Sequence, residues 1–138
     1  MTAGYENPSL TVDGILASGD SILLIRRNAE PYAGHYALPG GFVNVGEMVE
    51  EAVRREIKEE TGLVTEIVRL SGVYSDPARD PRSHTVSLVY VLNKIGGQIC
   101  AGDDASEVRC FRFTELPSLA FDHRKIIDDY LAVENKKI

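Results

Sequence analysis

The chain is patterned in short apolar runs separated by polar breaks that carry glycine and proline. Leu10 to Ala17 and Ser21 to Arg26 are dense in Leu, Ile and Val, and the Ser18-Gly19-Asp20 break between them predicts a hairpin of two strands. Asn28 to Gly41 holds two prolines, three glycines and two aromatics, so it reads as a loop with a short strand at Tyr36-Ala37-Leu38. Leu63 to Tyr74 and His84 to Asn93 are strand-like, rich in Val, Leu, Ile and Tyr. The polar loop between them, Ser75 to Ser83, is punctuated by Pro77 and Pro81. A last strand is expected over Glu107 to Phe113, entered from the Gly96-to-Ala105 loop. Ile126, Ile127, Tyr130 and Leu131 recur at helical spacing within Asp122 to Val133. Strands and helices mix without regular alternation, which predicts an α/β (α+β) domain around a mixed sheet.

Met48 to Thr61 is the clearest helix, and Gly62 supplies the expected stop. With Glu56 at zero and about 100° per residue, Val49, Ala52, Val53 and Ile57 fall between roughly −40° and +100°, a core-facing stripe. Glu59 and Glu60 land at roughly −60° and +40°, beside Glu56 on the same side. The opposite face carries Glu50, Glu51, Arg54 and Lys58, an ordinary solvated charge run. Three like charges within a turn repel one another, and near a helix C-terminus they also oppose the dipole. In sequence, Arg55 is the cation near enough to neutralise one of them. A hard divalent cation coordinated by oxygens resolves both problems; Mg²⁺ suits phosphate chemistry, and Mn²⁺ meets the same demands.

Composition narrows the partners. The 138 residues suit one compact domain spanning 1–138. A net charge of −6 argues against general affinity for nucleic acid but leaves open an anionic small substrate, since a bound cation inverts the local field. Met1 to Pro8 is polar and the first apolar run is too short to span a bilayer, so a soluble, cytoplasmic protein without a membrane partner is expected. Cys100 and Cys110 lack metal-ligand spacing and read as reduced thiols, although strand positions permit a bridge. His35, His84 and His123 show no spacing for a metal cluster.

Gly41, five residues, Glu47, seven residues, and then Arg55-Glu56-Ile57-Lys58-Glu59-Glu60-Thr61-Gly62-Leu63 resembles the Nudix box at every defined position. The resemblance implies an α/β/α Nudix sandwich and hydrolysis of a nucleoside diphosphate linked to another moiety. It implies Glu56, Glu59 and Glu60 as metal ligands, joined by the backbone carbonyl of Gly40. It also implies Glu47 and Arg55 as a pair holding the helix to its preceding loop, and Gly41 and Gly62 at turns with demanding backbone angles. Attack on a diphosphate is opposed by the charge of its oxygens; the cation relieves this and acidifies a water, whose proton a carboxylate then takes. The family often draws that base from a loop outside the box. Here Asp103, Asp104 and Glu107 are candidates beside Glu59, with Asp104 preferred for its spacing from Cys110.

The box leaves the substrate open. Gly72 to Val91, with its Arg79-Asp80-Pro81-Arg82 run, and Ala101 to Ile127 resemble segments of small ADP-ribose pyrophosphatases. Arg79 and Arg82 offer bidentate donors to a phosphate or a terminal ribose, and Arg27 and His123 are further candidate substrate contacts. Tyr32, Tyr74 and Phe121 have the surface to stack on adenine. A MutT-like nucleoside triphosphate pyrophosphohydrolase is the alternative within the family, and a non-catalytic ADP-ribose-sensing module the alternative outside enzymes. The chain stops shortly after its last predicted helix and the box is complete, so the enzyme is expected over the sensor. Related small hydrolases are often homodimers, which makes a homodimer an implied assembly.

Overall fold

The computed structural model describes residues 6–100 and 105–135. Its elements are β1 (Ser9–Ile15), β2 (Ala17–Ser18), β3 (Ser21–Arg27), β4 (Tyr36–Ala37), β5 (Gly40–Phe42), α1 (Val49–Thr61), β6 (Leu63–Tyr74), β7 (Thr85–Gly97), β8 (Ala105–Arg112), a 3₁₀ turn (Phe113–Glu115) and α2 (His123–Glu134). One sheet runs β5-β1-β7-β6 and is mixed: β1 lies parallel to β7, and the other neighbours are antiparallel. In the second sheet β3 is flanked by β2, β4 and β8, all antiparallel to it.

The expected hairpin is corrected. Only Ala17 and Ser18 pair back onto Ser21 and Ile22, while β1 belongs to the other sheet. The physical reason is burial on both faces: Thr11 to Ile15 are all buried, a continuous run suited to a covered central strand rather than a hairpin arm. At Leu16 the chain crosses between sheets, and its carbonyl accepts the N–H of Leu23 at 3.0 Å.

Alternation along β7 shows what covers the central sheet. Leu88, Tyr90 and Leu92 pack with Ala52, Val53 and Ile57 of α1, while Val89 and Val91 pack with Ile126, Ile127 and Tyr130 of α2. The helices therefore cover opposite faces, as in the implied sandwich. β1 follows the same parity: Val12 joins the α1 cluster and Ile15 the α2 cluster. Asp13 accordingly faces the α2 side.

The ends of α1 are fixed locally. The Met48 N–H donates to Glu51 Oε1 at 2.9 Å at the start. At the other end Gly62 adopts φ 79°, its N–H donates to the Lys58 carbonyl at 2.9 Å, and a Cβ there would fall 2.3 Å from the Gln98 carbonyl oxygen. Cys100 and Cys110 are exposed and are not joined in a disulfide. Among the described residues no helix is long and apolar enough to cross a membrane.

Candidate active site

A cleft of about 340 Å³ opens between β1, β5, the later turns of α1, the loop after β6 and the start of α2. Of the residues expected from sequence, Arg27, Gly40, Glu56, Glu60, Arg79, Arg82 and His123 line it. Glu47, Arg55 and Glu59 stand beside Glu56 rather than in the lining. Asp103 and Asp104 lie outside the described residues. Glu107 is bonded to the Tyr36 hydroxyl on β4 and does not line the cleft.

The acids of α1 are organised by one guanidinium. Arg55 grips Glu47 through Nε at 2.6 Å and Nη2 at 2.9 Å, and Nη2 also reaches the Phe42 carbonyl at 3.1 Å. Its Nη1 donates to Glu56 Oε1 at 2.6 Å and to Glu59 Oε1 at 2.9 Å, so all five N–H donors have acceptors. The expected Glu47–Arg55 pair is present, and Arg55 also partners two of the three acids. The Glu47 bond raises the pKa of Arg55 most, outweighing burial, with Glu56 and Glu59 adding to it. In return, the Arg55 bonds and the Asn44 N–H hold the Glu47 carboxyl at about 2.

The three acids differ in exposure. Glu60 is buried, and its Oε1 accepts the Gly40 N–H at 2.7 Å. The Glu56 side chain is 15% exposed and that of Glu59 59%. Gly41 explains the position of Glu56, though not through its backbone angle: its φ lies outside the left-handed region that Gly62 adopts. What matters is space. A Cβ on Gly41 would fall 2.3 Å from Glu56 Oε2, so a side chain here displaces the carboxylate.

Among the described residues no three Asp, Glu, His or Cys side chains stand close enough together to chelate an ion as arranged. The donor chemistry nevertheless fits a hard divalent cation. Glu56 and Glu60 present carboxylates to one cleft, Gly40 lines it beside Glu60, and Glu59 is an exposed side chain held through Arg55.

The profile of the NUDIX domain matches residues 8–130. The chain belongs to the Nudix family. An ADP-ribose pyrophosphatase of Methanocaldococcus jannaschii is 56% identical over 131 residues, which cover 95% of this chain and 78% of that protein. A MutT/nudix family protein from Enterococcus faecalis superposes with a TM-score of 0.87 at 35% identity, covering 99% of this chain and 66% of that one. A bifunctional NMN adenylyltransferase/ADP ribose pyrophosphatase from Francisella tularensis, solved with AMP and a Mn ion, has a TM-score of 0.80 at 27% identity. That alignment covers 95% of this chain and 43% of the bifunctional one, so this chain spans less than half of that protein.

Outside the Nudix box, the arginines divide into two kinds. Arg79 is buried: its Nε and Nη2 pair with Asp122 at 2.9 and 2.7 Å, and its Nη1 bonds Thr85 Oγ1 at 2.9 Å. It therefore braces the loop after β6 against the start of α2. Arg82 is 43% exposed and pairs with buried Asp80. Burial pushes the Asp80 carboxyl up, but the bonds and charge of Arg82, with the charge of Arg79, outweigh it and leave the pKa lowered. The Arg82 guanidinium lies over Phe42 at 5.4 Å and over Phe121 at 5.7 Å, and Arg27 lies over Phe121 at 5.0 Å. Phe121 itself sits at φ 52°, an unusual backbone for an aromatic residue. Of the three aromatics expected to stack, Phe121 lines this cleft, while Tyr74 bonds Asp129 elsewhere and Tyr32 packs on Phe121 from behind.

Sequence reasoning missed Phe42, Asp80 and above all Asp13. Asp13 is a buried acid inside the apolar run Leu10-Thr11-Val12-Asp13-Gly14-Ile15. A charge in the middle of a covered strand was the available signal.

Two outcomes follow from the Nudix box geometry. Gly41→Ala displaces Glu56, so Mn²⁺ binding measured by titration calorimetry weakens by about 10- to 100-fold, with circular dichroism showing the fold intact. The Glu47 carboxyl lies below its ordinary value of 4.5, at about 2, so its stabilising effect is complete above about pH 4.5 and is lost as pH falls through about 2. In urea unfolding without metal, the advantage of the wild type over Glu47→Gln is flat near neutrality and shrinks only below about pH 4.5.

Proposed function

We propose that the protein is a Nudix pyrophosphohydrolase that cleaves ADP-ribose to AMP and ribose 5-phosphate, with Mg²⁺ as the working ion. The observation that carries this is the 56% identity to an ADP-ribose pyrophosphatase across 95% of the chain. Identity of 56% over 131 residues reaches well past the 23 residues of the box. An unbroken set of box residues supports an enzyme over a binding module.

Glu56, Glu59 and Glu60, with the Gly40 carbonyl, are the groups that would hold the cation. When bound, it supplies neutralisation of the diphosphate oxygens and a more acidic water. The chain's own residues do the rest. Gly40 N–H fixes the rotation of Glu60, and Arg55 restrains Glu56 and Glu59 against each other's repulsion. Arg27 and Arg82 bring positive charge to the mouth of the cleft, and Phe42 and Phe121 beside them offer faces for a base. Asp104 is the proposed general base, taking the proton from the attacking water. Support comes from β8: its first residue, Ala105, pairs with Arg27, so the chain enters that strand at the cleft.

A substrate panel with Mg²⁺ tests the assignment: ADP-ribose, 8-oxo-dGTP and the common dNTPs, with ³¹P analysis of products. ADP-ribose is expected to give the highest kcat/KM; a value about tenfold higher for any triphosphate, or binding of ADP-ribose without turnover, overturns it. Asp104→Asn should lower kcat by about 10²-fold or more while Mn²⁺ binding changes little, and unchanged turnover removes Asp104 from the role.

A further inference from the structure

On the inner wall of the cleft, Asp13 of β1 and His123 of α2 face one another, 8% and 3% exposed. Each is anchored from behind. Ser87 Oγ donates to Asp13 Oδ2 and sets the rotation of the carboxylate. The Leu38 N–H donates to His123 Nδ1 at 3.0 Å, so Nδ1 is an acceptor and the proton of the neutral ring sits on Nε2. Burial keeps the ring neutral by pushing its pKa down, against the opposing charge of Asp13. The two atoms that remain, Asp13 Oδ1 and His123 Nε2–H, stand 3.8 Å apart, beyond hydrogen-bond length.

Both atoms open onto the cleft, where water can satisfy them, so a ligand that displaces that water must supply a group that completes both. That group must accept from Nε2–H and donate to Oδ1. An atom making two bonds of about 2.8 Å across the gap subtends an angle of about 85°, which a single oxygen tolerates. A phosphate oxygen accepts but cannot donate, and would confront a carboxylate. An ammonium donates but cannot accept. A hydroxyl does both.

The position selects which hydroxyl. A Cβ on Gly40 would fall 2.4 Å from Asp13 Oδ1, while the Gly40 N–H holds Glu60 Oε1 at 2.7 Å. The Asp13–His123 pair therefore lies one residue's width from the box acids, next to where a diphosphate would sit. A sugar bonded directly to the diphosphate reaches that wall. The aromatic faces of Phe42 and Phe121 suit the base instead.

We propose that Asp13 Oδ1 and His123 Nε2–H form a hydroxyl-reading subsite that binds one hydroxyl of a ribose attached to the diphosphate. This rests on reading the cleft as the site of a ribose-bearing diphosphate. Asp13 and His123 are then binding residues, and Ser87 is a positioning residue that acts through Asp13.

The test crosses protein variants with substrate analogues. Wild type, Asp13→Asn and Ser87→Ala are each assayed on ADP-ribose and on monodeoxy analogues lacking one hydroxyl of the adenosine ribose or of the terminal ribose. Wild type should discriminate against one analogue by about tenfold or more in kcat/KM, chiefly through KM. Asp13→Asn should erase that discrimination by weakening ADP-ribose while leaving the matching analogue unchanged; the analogue that responds identifies the ribose. Ser87→Ala should reduce the discrimination partly, and it serves alone if Asp13→Asn does not fold by circular dichroism. Equal losses on every substrate mean a structural role, and no loss on any means no contact; either overturns the proposal. If wild type does not turn over ADP-ribose, the substrate reading fails separately, and the same cross is run on the ribo and deoxyribo forms of whichever nucleotide is cleaved.

Discussion

The Arg55 guanidinium is the contact on which the site depends. Helix α1 brings three carboxylates to one end, where they repel each other and the helix dipole, and Arg55 meets two of them while anchored to Glu47 and the Phe42 carbonyl. The anchoring matters as much as the charge. Glu47 and the Phe42 carbonyl occupy Nε and Nη2, while Glu56 and Glu59 share Nη1. Those two acids can therefore change partners while the helix keeps its tie to the loop before it. A lysine would supply the charge but not this division of labour, because its donors rotate about one nitrogen.

The opposite end of the cleft is built on packing and strain. Phe121 and Tyr32, both non-glycine residues at positive φ, meet edge to face with ring centroids 4.9 Å apart. Such backbones cost on the order of 1–3 kcal/mol each and persist where surrounding contacts over-determine them. Here the contacts are Arg27 and Arg82 over Phe121, and the core patch of Ile25, Ala37 and Ala120 beneath. Arg79 contributes from inside, locking Asp122 and hence the start of α2, which carries His123. Acids tied through Arg55 at one end and clamped aromatics at the other leave a slot whose two halves call for different chemistry.

Much of this was legible in the sequence, for identifiable reasons. The α1 boundaries followed from periodicity and Gly62, and the inward acids followed from angular position. Strands β6 and β7 were visible as apolar runs between turn residues. The hairpin failed because adjacency in sequence outweighed a subtler sign, the uninterrupted burial of β1 on both faces. Gly41 reads as a turn residue in sequence because the pattern shows only that a glycine is present; its purpose depends on a side chain fifteen positions later. Arg79 and Arg82 look alike in sequence, yet Asp122, far along the chain, makes one a brace and leaves the other at the mouth. Asp13 was hidden because its partners, Ser87 and His123, come from β7 and α2.

The parallel pairing of β1 with β7 has a kinetic consequence. Ser9 pairs with Thr85 and Ile15 with Val91, so the centre of the sheet joins residues about as far apart as half the chain. No local hairpin substitutes for that closure, and its loop entropy must be met before the contacts reward it. During synthesis β1 therefore waits for β7, although α1 and its capping contacts can form early. The wall that carries Asp13 beside His123 is complete only when β1, β7 and α2 have all come together.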